Sequence, residues 1–569
     1  MKVKTFAILL MLACLAACES GDININPSTA DNSTDNSVTN SNNTTAAPVV
    51  EENPCASYTN SGGAKIQGEF SGANCVYSKN FADAGAKPIV VDLYIPALEN
   101  GGVHIFEGGL FIGKDYGTDA ELAAAGIAKG GDGPTLDIEA GATIAFSGAK
   151  NFMAINRGSK INAIGSAEAP ITFTAVKDAV EGEAVAGEVQ LWGGIVINGF
   201  GVTNKCKYDG ERGATTLTAE CHVIAEGSDG ENTTHYGGNN DEDSSGKLEY
   251  VRVKHTGFEV APGNELNGIS FGAVGSNTVV SYLQVFSTYD DGIELFGGAV
   301  NVDHYVGMYV KDDSIDIDEG YKGTISYALV IQEQYDGNRC IEADGIGSFT
   351  KKTDEFINDL VARKLNSRPT IDHLTCIVSP NGAGSDSLAA DDLNNQGTHD
   401  PGAGWRLREG IYPTIKNSLL IASFGDAVDG DNWCIRPDKS QDGEGDNAGS
   451  KVNDPTQAAI ISGEEASITN TVIVCETPVA KVAVEDLDES LVFASIQDTT
   501  DATADLDTDL ILLEGVTPIY SLDFADMVIN GVVLGARDGV NYVGAVQAAD
   551  DWTANWVFGL ENLWFDATP

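Results

Sequence analysis

The chain has 569 residues, 42% of them hydrophobic, with 84 acidic against 33 basic side chains and a net charge of −51. Charge of that sign keeps an exported protein soluble, repels nucleic-acid phosphates and so excludes nucleic acid as a partner, and favours divalent cations, calcium first because carboxylate oxygens are hard ligands. The 65 glycines against 5 methionines suit short strands joined by tight turns, and a repetitive all-β chain of this length can form one unit.

Residues 1–17 carry Lys2 and Lys4, an apolar run from Phe6 to Ala17, and small residues before Cys18. That is the pattern of a secretory signal, and the run is shorter than the roughly 20 apolar residues of a membrane-spanning helix. Leu15-Ala16-Ala17-Cys18 resembles the lipobox of bacterial lipoproteins. The resemblance implies that the mature chain begins at Cys18, with a lipid on its thiol. It also implies retention at the outer membrane, facing the periplasm or the cell surface, because Glu19 follows where inner-membrane proteins commonly have aspartate. Residues 18–54 are rich in Asn, Ser and Thr, too polar to fold, and predict a disordered tether.

Residues 55–130 predict a β-rich N-terminal cap, with a short helix over Ala120–Ala128. Residues 131–500 predict a parallel β-helix interrupted near 204–245, 348–368 and 381–404; Asp354–Lys364 predicts a helix in the second insertion. The main signal is a repeat. Val280, Val302 and Ile325 open similar strands 22 and 23 residues apart, and the theme returns at Ile371, Ile415 and Ile468. A period of that length with strand character describes one coil of a solenoid whose strands pair with the coils above and below. Residues 501–569 predict final coils and a cap, with Trp552, Trp556 and Trp564 covering the last coil.

With Cys14 in the leader and Cys18 lipidated, Cys55, Cys75, Cys206, Cys221, Cys340, Cys376, Cys434 and Cys475 remain. An even number in an oxidising compartment predicts disulfides; eight cysteines allow 105 connectivities, and sequential pairing is expected because Cys55/Cys75 and Cys206/Cys221 flank short polar loops. No CxxC occurs, which argues against zinc or a redox motif.

The stretches LWGGIVING, GKLEYVRVKHTG and DDGIELFGGAVNVDHYVGMYVKDDSIDIDEGYKG resemble a family of bacterial surface and secreted β-helix lipoproteins, over about residues 130–560. The resemblance implies an all-β, right-handed parallel β-helix and no established activity.

The acidic turns are the candidate site. Asp290 and Asp291 precede Asp312 and Asp313 by one coil, so like carboxylates should stack about 4.8 Å apart. Glu294 then stands near Asp316, with Asp318, Glu342 and Asp344 following. Such groups repel unless compensated. Three readings remain open: turn residues bonded to backbone amides, a calcium site of Asp290, Asp291, Asp312, Asp313, Asp316 and Asp318, or catalysis by Asp291, Asp313 and Arg339. His304 and His373 hold equivalent repeat positions and predict packing roles, while Tyr289, Tyr305, Tyr309, Tyr321, Tyr327 and Tyr335 could fill core or line a glycan surface. The functions that follow are a non-enzymatic envelope protein binding an extracellular glycan or a protein partner, a polysaccharide lyase or hydrolase, and an accessory subunit of an outer-membrane assembly.

Overall fold

The computed structural model describes residues 53–127, 129–333, 337–378, 403–422, 433–475, 496–497, 520–523, 528–529, 532–533, 539–547 and 549–563. The leader, Cys18 and the tether up to residue 52 lie outside these, as do Tyr335, Trp564 and nearly all of the 381–404 insertion.

Two long ladders of parallel strands form a β-helix. Nine strands stack in one sheet, in the order Leu110–Ile112, Met153–Ile155, Ile195–Asn198, Ile269–Gly272, Ile293–Phe296, Ile315–Asp318, Ile341–Asp344, Ala403–Arg408 and Trp433–Pro437. The second sheet is built on longer strands, Gly246–Thr256, Val279–Thr288, Asn301–Val310, Thr324–Ile331 and Thr370–Val378. Its register places Val280, Val302, Ile325, Ile371, Ile415 and Ile468 in one column, the repeat read from the sequence. Alternation along each short strand decides what is buried. Ile293, Leu295, Ile315, Ile317, Ile341, Trp405 and Leu407 point inward and are fully buried, while the residues between them form outward columns.

The long strands turn a corner at residues held at positive φ: Tyr250, Tyr282, His304, Tyr327 and His373, then Asn417 and Asn470. The left-handed conformation costs an L-residue about 1–2 kcal/mol. Stacking offsets it, since successive rings from Tyr250 to His373 lie 4.3, 4.4, 4.9 and 5.1 Å apart. His304 and His373 are thus rungs of a packing ladder. Tyr305 and Tyr321 are core residues and Tyr309 is buried, so no exposed tyrosine row is formed by these side chains.

Parallel pairing starts earlier than the sequence suggests. Cys75 already pairs with His104, and Leu93 with Leu136. Strands of three or four residues between prolines and glycines carry too little alternation to register as coils. The two expected helices form as Asp119–Ala125 and Asp354–Ala362, each opened by a threonine cap, Thr118 and Thr353, and Val176–Ala179 and Thr456–Ser462 are helical as well. Disulfides join Cys55–Cys75, Cys206–Cys221 and Cys340–Cys376, the sequential pairing expected, while the side chains of Cys434 and Cys475 lie outside the described residues.

The described C-terminal residues correct one expectation. Trp552 and Trp556 pack edge-on against Tyr282, and Trp556 also against Tyr250, on the lateral face of the middle coils and not across the last coil. With Val306, Met308, Leu329, Ile331 and Ile377 beneath, Trp556 belongs to a second hydrophobic core outside the solenoid. Gln284 clamps this strap by donating to the Phe558 carbonyl at 2.7 Å and accepting from its N–H at 2.8 Å.

Candidate metal centre

Coil stacking turns three short sequence motifs into columns. At the turn before the nine-stranded sheet, the Asp313 N–H donates to Asp291 Oδ1 at 3.0 Å, and the Arg339 N–H donates to Asp313 Oδ1 at 2.9 Å. Asn267 begins this column by accepting the Asp291 N–H at 3.2 Å. Each aspartate therefore ties its coil to the next, which is the backbone-bonding role weighed from the sequence. On the sheet itself Ser270, Glu294, Asp316, Glu342, Arg406 and Arg436 form one outward column. Phe296 pairs with Asp318, and Asp344 with Arg408, in the column beside it.

The carboxylates crowd at one end. Oxygens of Asp290, Asp291 and Asp312 lie within 4.8 Å of one another, as do those of Asp291, Glu294 and Asp316. Asp291 is shared by both triads. Asp290, Asp312, Asp316 and Asp318 are half-buried, whereas Asp291, Glu294 and Asp313 are buried. Among the described residues no cationic side chain pairs with Asp290, Asp291, Glu294 or Asp316. Burial first, then the neighbouring carboxylates, push Asp290, Asp291, Glu294 and Asp316 well above the usual carboxylate range. Asp318 rises likewise, through burial and Glu319.

The next coils are the reverse. Arg339, 2% exposed, lies 3.4 Å from Asp313 and 3.0 Å from Glu342. Arg408 reaches Glu342 at 3.0 Å and Asp344 at 2.7 Å. Burial would raise Glu342, but Arg408, Arg339 and Arg406 outweigh it and bring it to about 2, while burial first and then the neighbouring Glu342 push Asp313 upward, against the pull of Arg339.

Sequence reading had gathered Asp290, Asp291, Asp312, Asp313, Asp316, Asp318 and Arg339, and the fold brings these to one face. It missed Arg406 and Arg408, and also Glu226 and Glu265, which lie close enough to raise the pKa of Asp290 from outside the ladder. A signal for the arginines did exist: Asp316-Ile317-Asp318, Glu342-Ala343-Asp344 and Arg406-Leu407-Arg408 share one charged–apolar–charged spacing. Burial pushes Glu226 to about 7.

The profile of the pectate-lyase-like beta helix domain matches residues 119–486, well over half of the chain. The chain belongs to this family. No match emerges from the curated proteins, nor from the solved structures. A domain of this family fits a polysaccharide-binding or lyase-like protein. The ladder of the family's fold in this chain suits calcium on its donor chemistry: the ion takes six to eight oxygens at about 2.3–2.6 Å, so ligand oxygens up to about 5 Å apart can share it. The half-buried Asp290, Asp312 and Asp316 leave room for water or a ligand oxygen to complete such a shell.

These shifts fix a pH dependence. A carboxyl whose folded pKa is raised keeps its proton while the unfolded chain ionises, so stability is lost as pH climbs from about 4 toward the folded value. Glu342 acts oppositely, contributing above its unfolded pKa and losing that contribution as pH falls toward about 2. The raised groups outnumber it. In chelator, the melting temperature is expected to be lower at pH 8 than at pH 5, measured by differential scanning fluorimetry; a melt that rises over this interval would contradict the shifts.

Proposed function

We propose that the protein is a lipid-anchored component of the bacterial outer membrane that binds an extracellular polysaccharide through calcium held on the carboxylate ladder. The observation that carries this reading is the pair of overlapping triads sharing Asp291, in which Asp290, Asp291, Glu294 and Asp316 have no cationic partner among the described residues, while Asp313, Glu342 and Asp344 beside them have arginines. A divalent cation there neutralises the stacked charge and offers its open coordination positions to sugar or uronate oxygens. Cys18 and the tether of residues 18–54 would hold the β-helix at the membrane.

A lyase would need a base with an unprotonated lone pair free to remove a proton beside the metal. The family supports that second reading, but Arg339 is enclosed between Asp313 and Glu342, and Arg408 is committed to Glu342 and Asp344. Binding without turnover fits this arrangement better.

Titration calorimetry of calcium into chelator-treated protein tests the proposal. We expect a dissociation constant of about 10⁻⁴–10⁻³ M, the range of extracellular modules, tightening with pH as the ladder gives up protons. Asp291→Asn keeps an oxygen for the Asp313 N–H but removes a charge common to both triads, and is expected to abolish binding while leaving the protein folded. Calcium-dependent retention of polygalacturonate or alginate, with no unsaturated product formed, completes the expectation. Absence of calcium binding, or wild-type affinity in Asp291→Asn, overturns it.

A further inference from the structure

A second site lies near the start of the solenoid. The coils holding Leu110–Ile112 and Met153–Ile155 precede the Ile293–Phe296 coil by four and three strands, or about 14–19 Å along the stack. There a half-open groove of about 580 Å³ is lined by Asp92, Gly113, Lys114, Tyr116, Asp132 and Ser159, among others. That volume falls in the range of small-molecule sites, roughly 300–1,000 Å³.

The lining includes a serine hydroxyl. Ser159 is 2% exposed, its backbone N–H is used by Asn156, and its Oγ makes no hydrogen bond with the described residues. Two glycines frame it. A Cβ on Gly113 would stand 2.0 Å from this oxygen and one on Gly133 would stand 2.7 Å from it; Gly113 also has φ of +79°. A side chain at either position would press on this hydroxyl and displace it. The hydroxyl can both donate to and accept from a ligand in the groove.

Behind the floor lies a buried cation. Arg157 is 3% exposed and donates to the Cys221 carbonyl at 3.1 Å and the Gly237 carbonyl at 2.9 Å. Its Nε has no partner, and no carboxylate among the described residues forms an ion pair with it. Asp115 and Asp119, the nearest acids, are taken by His235 at 2.6 Å and His222 at 3.3 Å. The lining also holds the exposed Lys114, Asp92 and Asp132 and the half-buried Tyr116; Lys114 Nζ stands 5.7 Å from the centre of the Tyr116 ring, and Asp92 accepts the Thr135 N–H at 2.9 Å. Donors and acceptors are therefore mixed, and two positive groups balance two negative ones. An anion would meet Asp92 and Asp132, and a cation would meet Lys114 and Arg157. A sugar ring presents hydroxyls that both donate and accept, together with an apolar C–H face that stacks on an aromatic ring.

We infer that this groove is a binding site for a neutral sugar, separate from the carboxylate ladder and independent of calcium. It is tested on the full chain in chelator, by saturation-transfer NMR and calorimetry with maltotriose, cellotriose and N,N′-diacetylchitobiose, and with trigalacturonate as the acidic comparator. At least one neutral saccharide is expected to bind, and Tyr116→Ala and Ser159→Ala are each expected to weaken it fivefold or more. No neutral saccharide bound, affinity unchanged in both variants, or equal binding of trigalacturonate overturns the assignment. Because chelator is present throughout, failure here is distinguishable from failure of the calcium proposal.

Discussion

Arg339→Met should lower the unfolding free energy by about 3–5 kcal/mol at pH 7, measured by urea denaturation with an unchanged m-value. The guanidinium is nearly inaccessible and faces Asp313 and Glu342 together. Removing one partner of a buried ionic group leaves the other uncompensated, which costs far more than an exposed pair is worth. Glu342 retains Arg408 at 3.0 Å, so Asp313 and the shared field around Glu342 carry most of the loss. Adding Asp313→Asn to Arg339→Met should recover part of it, because the asparagine oxygen can still accept the residue-339 N–H. A loss below about 1 kcal/mol would mean that protons, not Arg339, neutralise this coil.

The second large effect concerns the strap. Trp556→Ala is expected to cost about 3–5 kcal/mol, as for other fully buried indoles. The ring fills the contact between Tyr250, Tyr282 and the outer face of the second sheet, and its Nε1 donates to the Trp552 carbonyl at 2.8 Å. Besides a lower melting temperature, limited proteolysis should cut first within the C-terminal residues, while the coils stay protected. If the strap were an incidental attachment, the melt of the coils would not move.

The repeat was legible where coils are uninterrupted. Val280, Val302 and Ile325 keep their spacing because only glycine turns separate the strands between them. The same regularity exposed Asp291 and Asp313, whose side chains must sit one above the other once the period is known. Arg406 and Arg408 escaped because the Glu355-containing helical insertion and the following segment push the next coil far along the chain, although it is adjacent in space. The first coils escaped because their strands are three or four residues long. The lateral position of Trp556 escaped for another reason: an indole-rich terminus looks the same in sequence whether it covers an end or a side. Nor does composition distinguish Ser159, whose meaning comes only from Gly113 and Gly133 packed around it.

A solenoid whose units touch only their neighbours would be expected to fray from its ends, one turn at a time. The C-terminal strap changes that. Phe558 is fastened to Gln284, and Ala545 donates to Thr375 Oγ1 at 2.8 Å, so a single ribbon is sewn to turns that are not neighbours. Losing one of these turns releases the ribbon from the others, which makes the middle of the protein melt in one step where a plain stack would unravel gradually.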